Sequence, residues 1–257
     1  MVRSRPREQL GRQSRVIVFI IFWRETVTQT LINFGVLLLA YLLGSVPFGL
    51  LIVKLRTGQD IRNIASGRTG GTNAMRAAGF WAGMLTAIFD ILKGAGSVWL
   101  AQAISPDAHW VHVFAPIFAI LGHNHSIFLP EFDEGGRFKG LRGGAGGAPA
   151  VGGAFGLWPA SLAIILPLGV IVFFTLGYAS VTTMSVALFS IIVFAVRAAF
   201  GFPWVDVLYG VLAEILLILA LRPNIKNLLA GTERVVNISL HGRIKAKREA
   251  EASKSES

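Results

Sequence analysis

The chain of 257 residues contains no cysteine, which excludes disulfides, a thiolate nucleophile and any cysteine-based metal site. Charge is scarce as well: Asp, Glu, Lys and Arg make up 15% of the residues and lie almost entirely outside the long apolar stretches. Acidic side chains are the scarcer kind, 14 against 24 Lys and Arg. No Gly-x-Ser-x-Gly string is present, and no glycine run has the spacing of a P-loop or a dinucleotide-binding turn. Two histidines, His123 and His125, stand two apart, but no Asp, Glu or Cys accompanies them at a metal-ligand spacing.

What the chain does have is hydrophobicity in blocks. Apolar residues are 53% of the total and the mean hydropathy is +0.62. Long runs rather than alternation imply an all-α, polytopic helical membrane protein. The net charge of +10 then reads as Lys and Arg concentrated in cytoplasmic loops, not as a nucleic-acid surface. Anionic headgroups and phosphorylated substrates profit from the same charge.

Residues 1–30 form a basic extension with Arg3, Arg5, Arg7, Arg12 and Arg15. Its apolar run from Val16 to Trp23 is too short to cross a bilayer, and Trp23-Arg24-Glu25 offers no signal-peptidase site, so an interfacial helix is expected. Residues 31–222 hold the membrane domain, with spans over Leu31–Val53, Phe80–Ala103, Val111–Leu129, Val181–Phe200 and Val205–Leu221. Ala148–Tyr178 would make about 46 Å of helix, long for one crossing and short for two. Residues 223–257 are a basic, polar tail. Parity places the two glycine-rich loops described next on one side. It also places the N-terminal arginines on the other, against the positive-inside bias.

The first loop follows Gly44-Ser45-Val46-Pro47-Phe48-Gly49 and reads Ala65-Ser66-Gly67-Arg68-Thr69-Gly70-Gly71-Thr72-Asn73-Ala74-Met75-Arg76. Glycines let backbone N–H groups close on an anion, the hydroxyl and amide side chains add donors, and Arg68 or Arg76 supplies a fork that matches phosphate. The second loop, Pro130 to Gly147, interleaves seven glycines with Arg137, Lys139 and Arg142, another candidate phosphate cradle. Asp90 and Lys93, three apart within a span, share a helix face and either neutralise each other or support the site.

These strings resemble the motifs of the bacterial acyl-phosphate:glycerol-3-phosphate acyltransferases, the PlsY type. Residues 44–49 and 65–76 are similar to two of them, Asp90, Lys93 and Gly94 to an Asp-x-x-Lys-Gly string. Gly122 and His123, with Lys139, Gly140, Arg142 and Gly143, are similar to a third motif. That third motif differs here: Leu141 replaces a glycine, Arg142 a lysine, and an acidic, glycine-containing insert separates its halves. Gly177-Tyr178-Ala179-Ser180 resembles an Arg-Tyr-Val-Ser segment with Gly177 in place of the arginine, and Arg222 to Glu233 resembles a C-terminal His-x-x-Asn-Ile pattern.

The resemblance implies about seven transmembrane helices, glycine-rich cytoplasmic loops, and a site on the cytoplasmic side of a bacterial plasma membrane. It implies transfer of a fatty acyl group from acyl phosphate to the sn-1 hydroxyl of glycerol 3-phosphate, giving lysophosphatidic acid and phosphate, with no cofactor or metal. Partners would be the two substrates, the lipid bilayer and, transiently, the enzyme supplying acyl phosphate, with no nucleic acid. Ser66, Arg76 and Arg142 would hold glycerol 3-phosphate with Ser180 and Asn224. Gly44, Ser45, Gly67, Thr69, Gly70, Gly71, Thr72, Lys139, Gly140, Gly143 and Gly144 would line or cradle the substrates, Asn73 would brace its loop, and Asp90 and Lys93 would support it. His123 is a general base or a structural hydrogen-bonder. A His-x-x-x-x-Asp pair of the other acyltransferase superfamily is missing, because Phe128 and Pro130 stand where the Asp would be. The alternatives are a transporter of a phosphorylated solute, or a catalytically altered member of the same family.

Overall fold

The computed structural model describes residues 6–255; Arg3 and Arg5 of the basic N-terminus lie outside them. In chain order the elements are α1 (Pro6–Ser45), α2 (Phe48–Thr57), a 3-10 turn (Ile61–Asn63), α3 (Gly71–Ala78), α4 (Phe80–Ile104) and α5 (His109–Asn124). A small hairpin follows, β1 (Pro130–Phe132) and β2 (Phe138–Leu141). Then come α6 (Gly147–Leu157), α7 (Ser161–Leu176), α8 (Ala179–Ala199), α9 (Val205–Leu229) and α10 (Leu240–Ser255).

The breaks follow from backbone chemistry. Pro47 has no N–H to donate and ends the first apolar helix at Ser45, so the expected span Leu31–Val53 becomes α1 and α2. Gly58, at φ 72°, closes α2 by donating to the Lys54 carbonyl. The stretch 148–178 divides at Trp158-Pro159-Ala160 into α6 and α7, of 11 and 16 residues. Each is about 16–24 Å long, shorter than the apolar thickness of a bilayer. α1 is continuous across residues 30 and 31, and α9 across 222 and 223.

Among the described residues three helices can cross a membrane by length and composition: Trp23–Thr57 (α1 with α2), α4 and α8, while α7 is a shorter apolar helix. Their outer faces carry exposed Phe34, Leu38, Phe89, Leu92, Ile171, Phe174, Ile192 and Val196, a continuous apolar exterior that suits lipid rather than water. The one departure from an all-helical chain among the described residues is the antiparallel hairpin, with Glu131 opposite Gly140. The acidic insert forms its turn: the Asp133 carboxylate accepts from the Gly135 and Arg137 N–H groups, and Gly136 takes φ 74°.

One core joins α5, α6, α7, α8 and α9 around Val113, Ile120, Val151, Ile165, Phe194, Tyr209 and Leu217. A second joins α1, α4 and α5 around Val36, Leu37, Ala40, Ala101 and Val111. Glycines let the helix backbones touch, the usual device where lipid supplies no hydrophobic drive between helices. A Cβ at Gly44 would overlap the Ala119 carbonyl, one at Gly122 the Tyr41 carbonyl, one at Gly94 the Pro149 carbonyl and one at Gly152 the Ile91 carbonyl. Gly44 and Ser45 therefore seal α1 against α5; Ser45 also accepts the Ser126 hydroxyl on its carbonyl. Gly152→Ala should push α6 off α4 and cost about 1–3 kcal/mol. A melting temperature in detergent several degrees below wild type is expected; an unchanged one would show that this contact has slack.

Candidate functional site

The first glycine loop is shaped by a side chain from the helix that follows it. Asn73, on α3 and buried, donates from Nδ2 toward the Ile61, Ile64 and Arg68 carbonyls at 3.3, 3.0 and 2.9 Å. Its Oδ1 accepts the Ser66 N–H at 3.4 Å, so both faces of the loop are tied to one amide. Asp60 secures the entrance, with its carboxylate held below the usual range by hydrogen bonds from Arg62. Gly67 sits at φ 67°. Thr69, buried beside Gly49 of α2, donates its N–H to the Gly143 carbonyl at 3.2 Å, which joins the two glycine loops.

Behind the loops lies a buried cluster. Lys93 Nζ reaches Asp90 Oδ1 at 2.9 Å, the Val46 carbonyl at 3.0 Å and His123 Nδ1 at 2.8 Å. The ammonium's hydrogen bonds go to the Val46 carbonyl and His123 Nδ1, and Asp90 is its counter-ion. The Val46 carbonyl lies at the Pro47 break and also accepts the Phe48 N–H at 3.1 Å, so the lysine ties the break to α4. His123 Nδ1 lies 2.8 Å from the ammonium and 3.5 Å from Asp90 Oδ1; toward the nearer ammonium it accepts, which puts the ring proton on Nε2. That nitrogen faces Gly144, where a Cβ would collide with the imidazole. Gly143 likewise has no room for a side chain beside the His123 and Asn124 carbonyls, and the Gly144 N–H donates to His123 O at 2.8 Å.

In front of the loops opens a cavity of about 800 Å³. Three helix N-termini meet its wall: Gly70 to Thr72 of α3, Ala145 to Ala148 at the start of α6, and Ala179 to Thr183 of α8. Their unpaired N–H groups and dipoles favour an anion. Ser66, Arg68, Asn73, Arg76, Asp90, His123, Ser180, Asn224, Glu233 and Arg234 add polar groups to the same wall. With Lys93 set against Asp90 and one arginine against Glu233, the wall keeps a surplus of two positive charges. The same cavity is also lined by apolar side chains, Phe80, Met84, Ile91, Leu166, Val170, Phe173 and Phe174.

Burial pulls the Arg68 guanidinium below its ordinary value, against Glu233, which opposes the shift. Burial also lowers Arg76, joined by repulsion from Arg234 and again opposed by Glu233. Both remain cationic at any physiological pH. Among the described residues no group of three or more His, Asp or Glu converges to hold a metal.

Other residues singled out from the sequence lie off this wall. Lys139 and Arg142 project from the hairpin segment toward Glu131, at 3.7 and 3.3 Å, and Arg142 also donates to the Arg62 carbonyl at 3.4 Å. Gly140 pairs with Glu131 in the hairpin; Gly44, Ser45, Gly67, Thr69, Gly143 and Gly144 act through packing and loop joints as described. Conversely, nothing in the sequence assigns Glu233 or Arg234 a site role of its own, while the glycines at the N-terminus of α6 belong to the second loop read as a cradle. Glu233 accepts the Ser180 hydroxyl at 3.0 Å and Asn224 Nδ2 at 2.8 Å. A carboxylate in an anion site gives no warning in sequence; only the run of polar residues after Asn227 marks the segment.

A membrane-embedded helical protein with an amphipathic, cation-rich cavity is thus defined. The family model described as glycerol-3-phosphate acyltransferase matches residues 34–231, and the chain belongs to that family. It is similar to the glycerol-3-phosphate acyltransferase of Thermus thermophilus, 36% identical over 198 residues that cover 77% of this chain and 92% of the relative. Its counterpart in Thermotoga petrophila is 38% identical over 205 residues, 78% of this chain and 95% of the relative. The crystal structure of PlsY (YgiH), an integral membrane glycerol 3-phosphate acyltransferase, in its glycerol 3-phosphate form superposes with a TM-score of 0.68. It is 30% identical, covering 79% of this chain and 94% of that one. The lysophosphatidic acid form gives 0.64 at 29% identity, covering 80% and 96%.

Removing the lysine leaves Asp90 buried and unpaired, at a cost of about 3–5 kcal/mol. Lys93→Ala should therefore lower the melting temperature sharply, and Lys93→Met with Asp90→Asn should recover much of the loss. Equal destabilisation in the single and double variants would contradict the ion-pair account.

Proposed function

We propose that this chain transfers a fatty acyl group from acyl phosphate to the sn-1 hydroxyl of glycerol 3-phosphate, at the cytoplasmic face of a bacterial plasma membrane. The observation that carries this reading is that one cavity is lined both by three helix N-termini and arginines and by apolar Phe80, Met84, Val170 and Phe173. Both substrates bring a phosphate to the first set of groups, and only one brings a chain to the second.

In the reaction the hydroxyl oxygen attacks the acyl carbonyl carbon, the carbon–oxygen bond to phosphate breaks, and the hydroxyl proton leaves with the phosphate released. Phosphate is a good leaving group, so alignment and stabilisation of negative charge suffice without a covalent enzyme intermediate. Ser66, Arg76, Ser180 and Asn224 hold glycerol 3-phosphate. The N–H groups of Gly70, Gly71 and Thr72, with those of Gly146 and Gly147, receive the acyl phosphate and the oxyanion that develops on its carbonyl. Asn73, Gly67 and Thr69 keep the loop in that shape. Asp90 and Lys93 hold the His123 ring, which then serves as an Nε2–H donor rather than as a base. Lys139 and Arg142, engaged with Glu131, stand outside this assignment.

The test incubates purified protein with acyl phosphate and labelled glycerol 3-phosphate, with acyl-CoA as the donor in a parallel reaction. Lysophosphatidic acid from acyl phosphate alone is expected; product from acyl-CoA alone would overturn the donor assignment. Arg76→Ala should lower kcat/KM about 10–100-fold, the worth of a charge-assisted contact, with expression unchanged. Near-normal turnover would remove Arg76 from the site.

A further inference from the structure

Of the three arginines on the cavity wall, Arg68 is the one with recorded anchors. Its Nη2 donates to the Ala220 carbonyl at 2.7 Å and to Asn224 Oδ1 at 2.9 Å, both on α9. Its Nη1 is buried and has no hydrogen-bond partner among the described residues. A charged donor in that state is costly to keep, and Arg68 lines the cavity, so a small side-chain shift would bring Nη1 to an anion there.

The amide that holds Arg68 is itself held. Asn224 Nδ2 donates to Glu233 Oε1 at 2.8 Å, and the same oxygen accepts the Ser180 hydroxyl at 3.0 Å. Glu233 is buried, 8% exposed, so these contacts are little weakened by water. The relay also fixes which way the amide points. Reversed, Asn224 would set its NH2 against a guanidinium and its oxygen against a carboxylate, both repulsive. A carboxylate in a phosphate site thus has a purpose: it orients Asn224 so that Oδ1 braces the guanidinium, leaving Nη1 free.

We propose that Arg68 Nη1 contacts the phosphate of glycerol 3-phosphate, and that Glu233 is a positioning residue acting through Asn224. This inference rests on the reading that the cavity binds glycerol 3-phosphate. It adds a contact residue to the site and gives the one carboxylate on the wall that is not paired with Lys93 a role other than catalysis.

The experiment uses the full-length protein purified in detergent. Kinetics are measured against each substrate separately, and calorimetric titration with glycerol 3-phosphate, with glycerol as the uncharged control, runs beside them. Arg68→Gln should raise the KM for glycerol 3-phosphate and its Kd about 10–100-fold, the loss of a charge-assisted contact, while the KM for acyl phosphate stays within about twofold. Arg68→Lys, which keeps the charge but cannot bridge Asn224 and a phosphate, should fall between. Glu233→Ala should raise the same KM with kcat less affected, and Glu233→Gln, which retains an Oε1 acceptor for Asn224, should restore it. Arg137→Ala on the hairpin turn, a cation lost far from the wall, should change nothing.

An unchanged glycerol 3-phosphate Kd in Arg68→Gln at wild-type melting temperature overturns the proposal. So does a rise confined to the KM for acyl phosphate, or a Glu233→Gln as damaging as Glu233→Ala. Should Arg68→Gln melt early, Arg68→Lys decides: wild-type Kd overturns the contact, an intermediate one supports it. Wild-type protein that binds glycerol 3-phosphate but transfers no acyl group sinks the reaction, and the Arg68 binding result still decides this inference. Wild-type protein that does not bind glycerol 3-phosphate overturns both.

Discussion

The fold turns on a single buried ammonium. Lys93 is charged in a place where charge is expensive, and it persists because three acceptors from three parts of the chain converge on it: Asp90 on α4, the Val46 carbonyl at the break after α1, and His123 near the end of α5. That cation ties the Val46 carbonyl at the Pro47 break, which also accepts the Phe48 N–H at 3.1 Å, to α4 and so helps to set the direction of α2. α2 leads into the first glycine loop and His123 abuts the second, so both loops inherit their positions from one nitrogen. The joint from Thr69 to Gly143 then ties them together.

The cavity these loops bound is useful because its polar and apolar linings ask for different things. Helix N-termini hold partial positive charge that cannot be neutralised by rotating a side chain away, and the arginines add whole charges beside them. Lowered in pKa by burial, Arg68 and Arg76 are poorly hydrated, which strengthens any pairing they make with an incoming phosphate. The apolar lining, from α4 and α7, continues toward the lipid-facing surface of α7, where Ile171 and Phe174 are exposed. A headgroup is held while its chain stays in hydrocarbon surroundings.

Much of this could be read in the residues, because its causes are local. Apolar blocks mark the helices, Pro47 and Pro159 mark the breaks, and Asp90 and Lys93 at a spacing of three announce a shared face. The glycine-rich run from Ser66 to Arg76 declares a loop, and the fold sets part of it on the cavity lining. What could not be read depends on partners far apart in sequence. The Arg68–Asn224 bond spans 156 positions, and nothing near either residue advertises it. Arg142 reads as a phosphate ligand from its motif, and nothing in the sequence announces that the hairpin sets Glu131 3.3 Å from it. Gly44 and Gly122 stand in strings that resemble substrate motifs, yet each sits within a helix and makes room for a neighbour's backbone. Glycine serves anion approach and helix contact equally well, so the residue type alone does not separate them.

The claim on which the rest hangs is that Lys93 donates to His123 Nδ1. Nitrogen NMR of the full-length protein, with histidine labelled in the ring and the His123 signals assigned by substitution, reads this directly. A neutral His123 with its proton on Nε2 and a bare, hydrogen-bond-accepting Nδ1, changed on Lys93→Met, is the expected result. A ring protonated on Nδ1 in the wild-type protein would contradict the lysine-centred arrangement and the loop geometry built upon it.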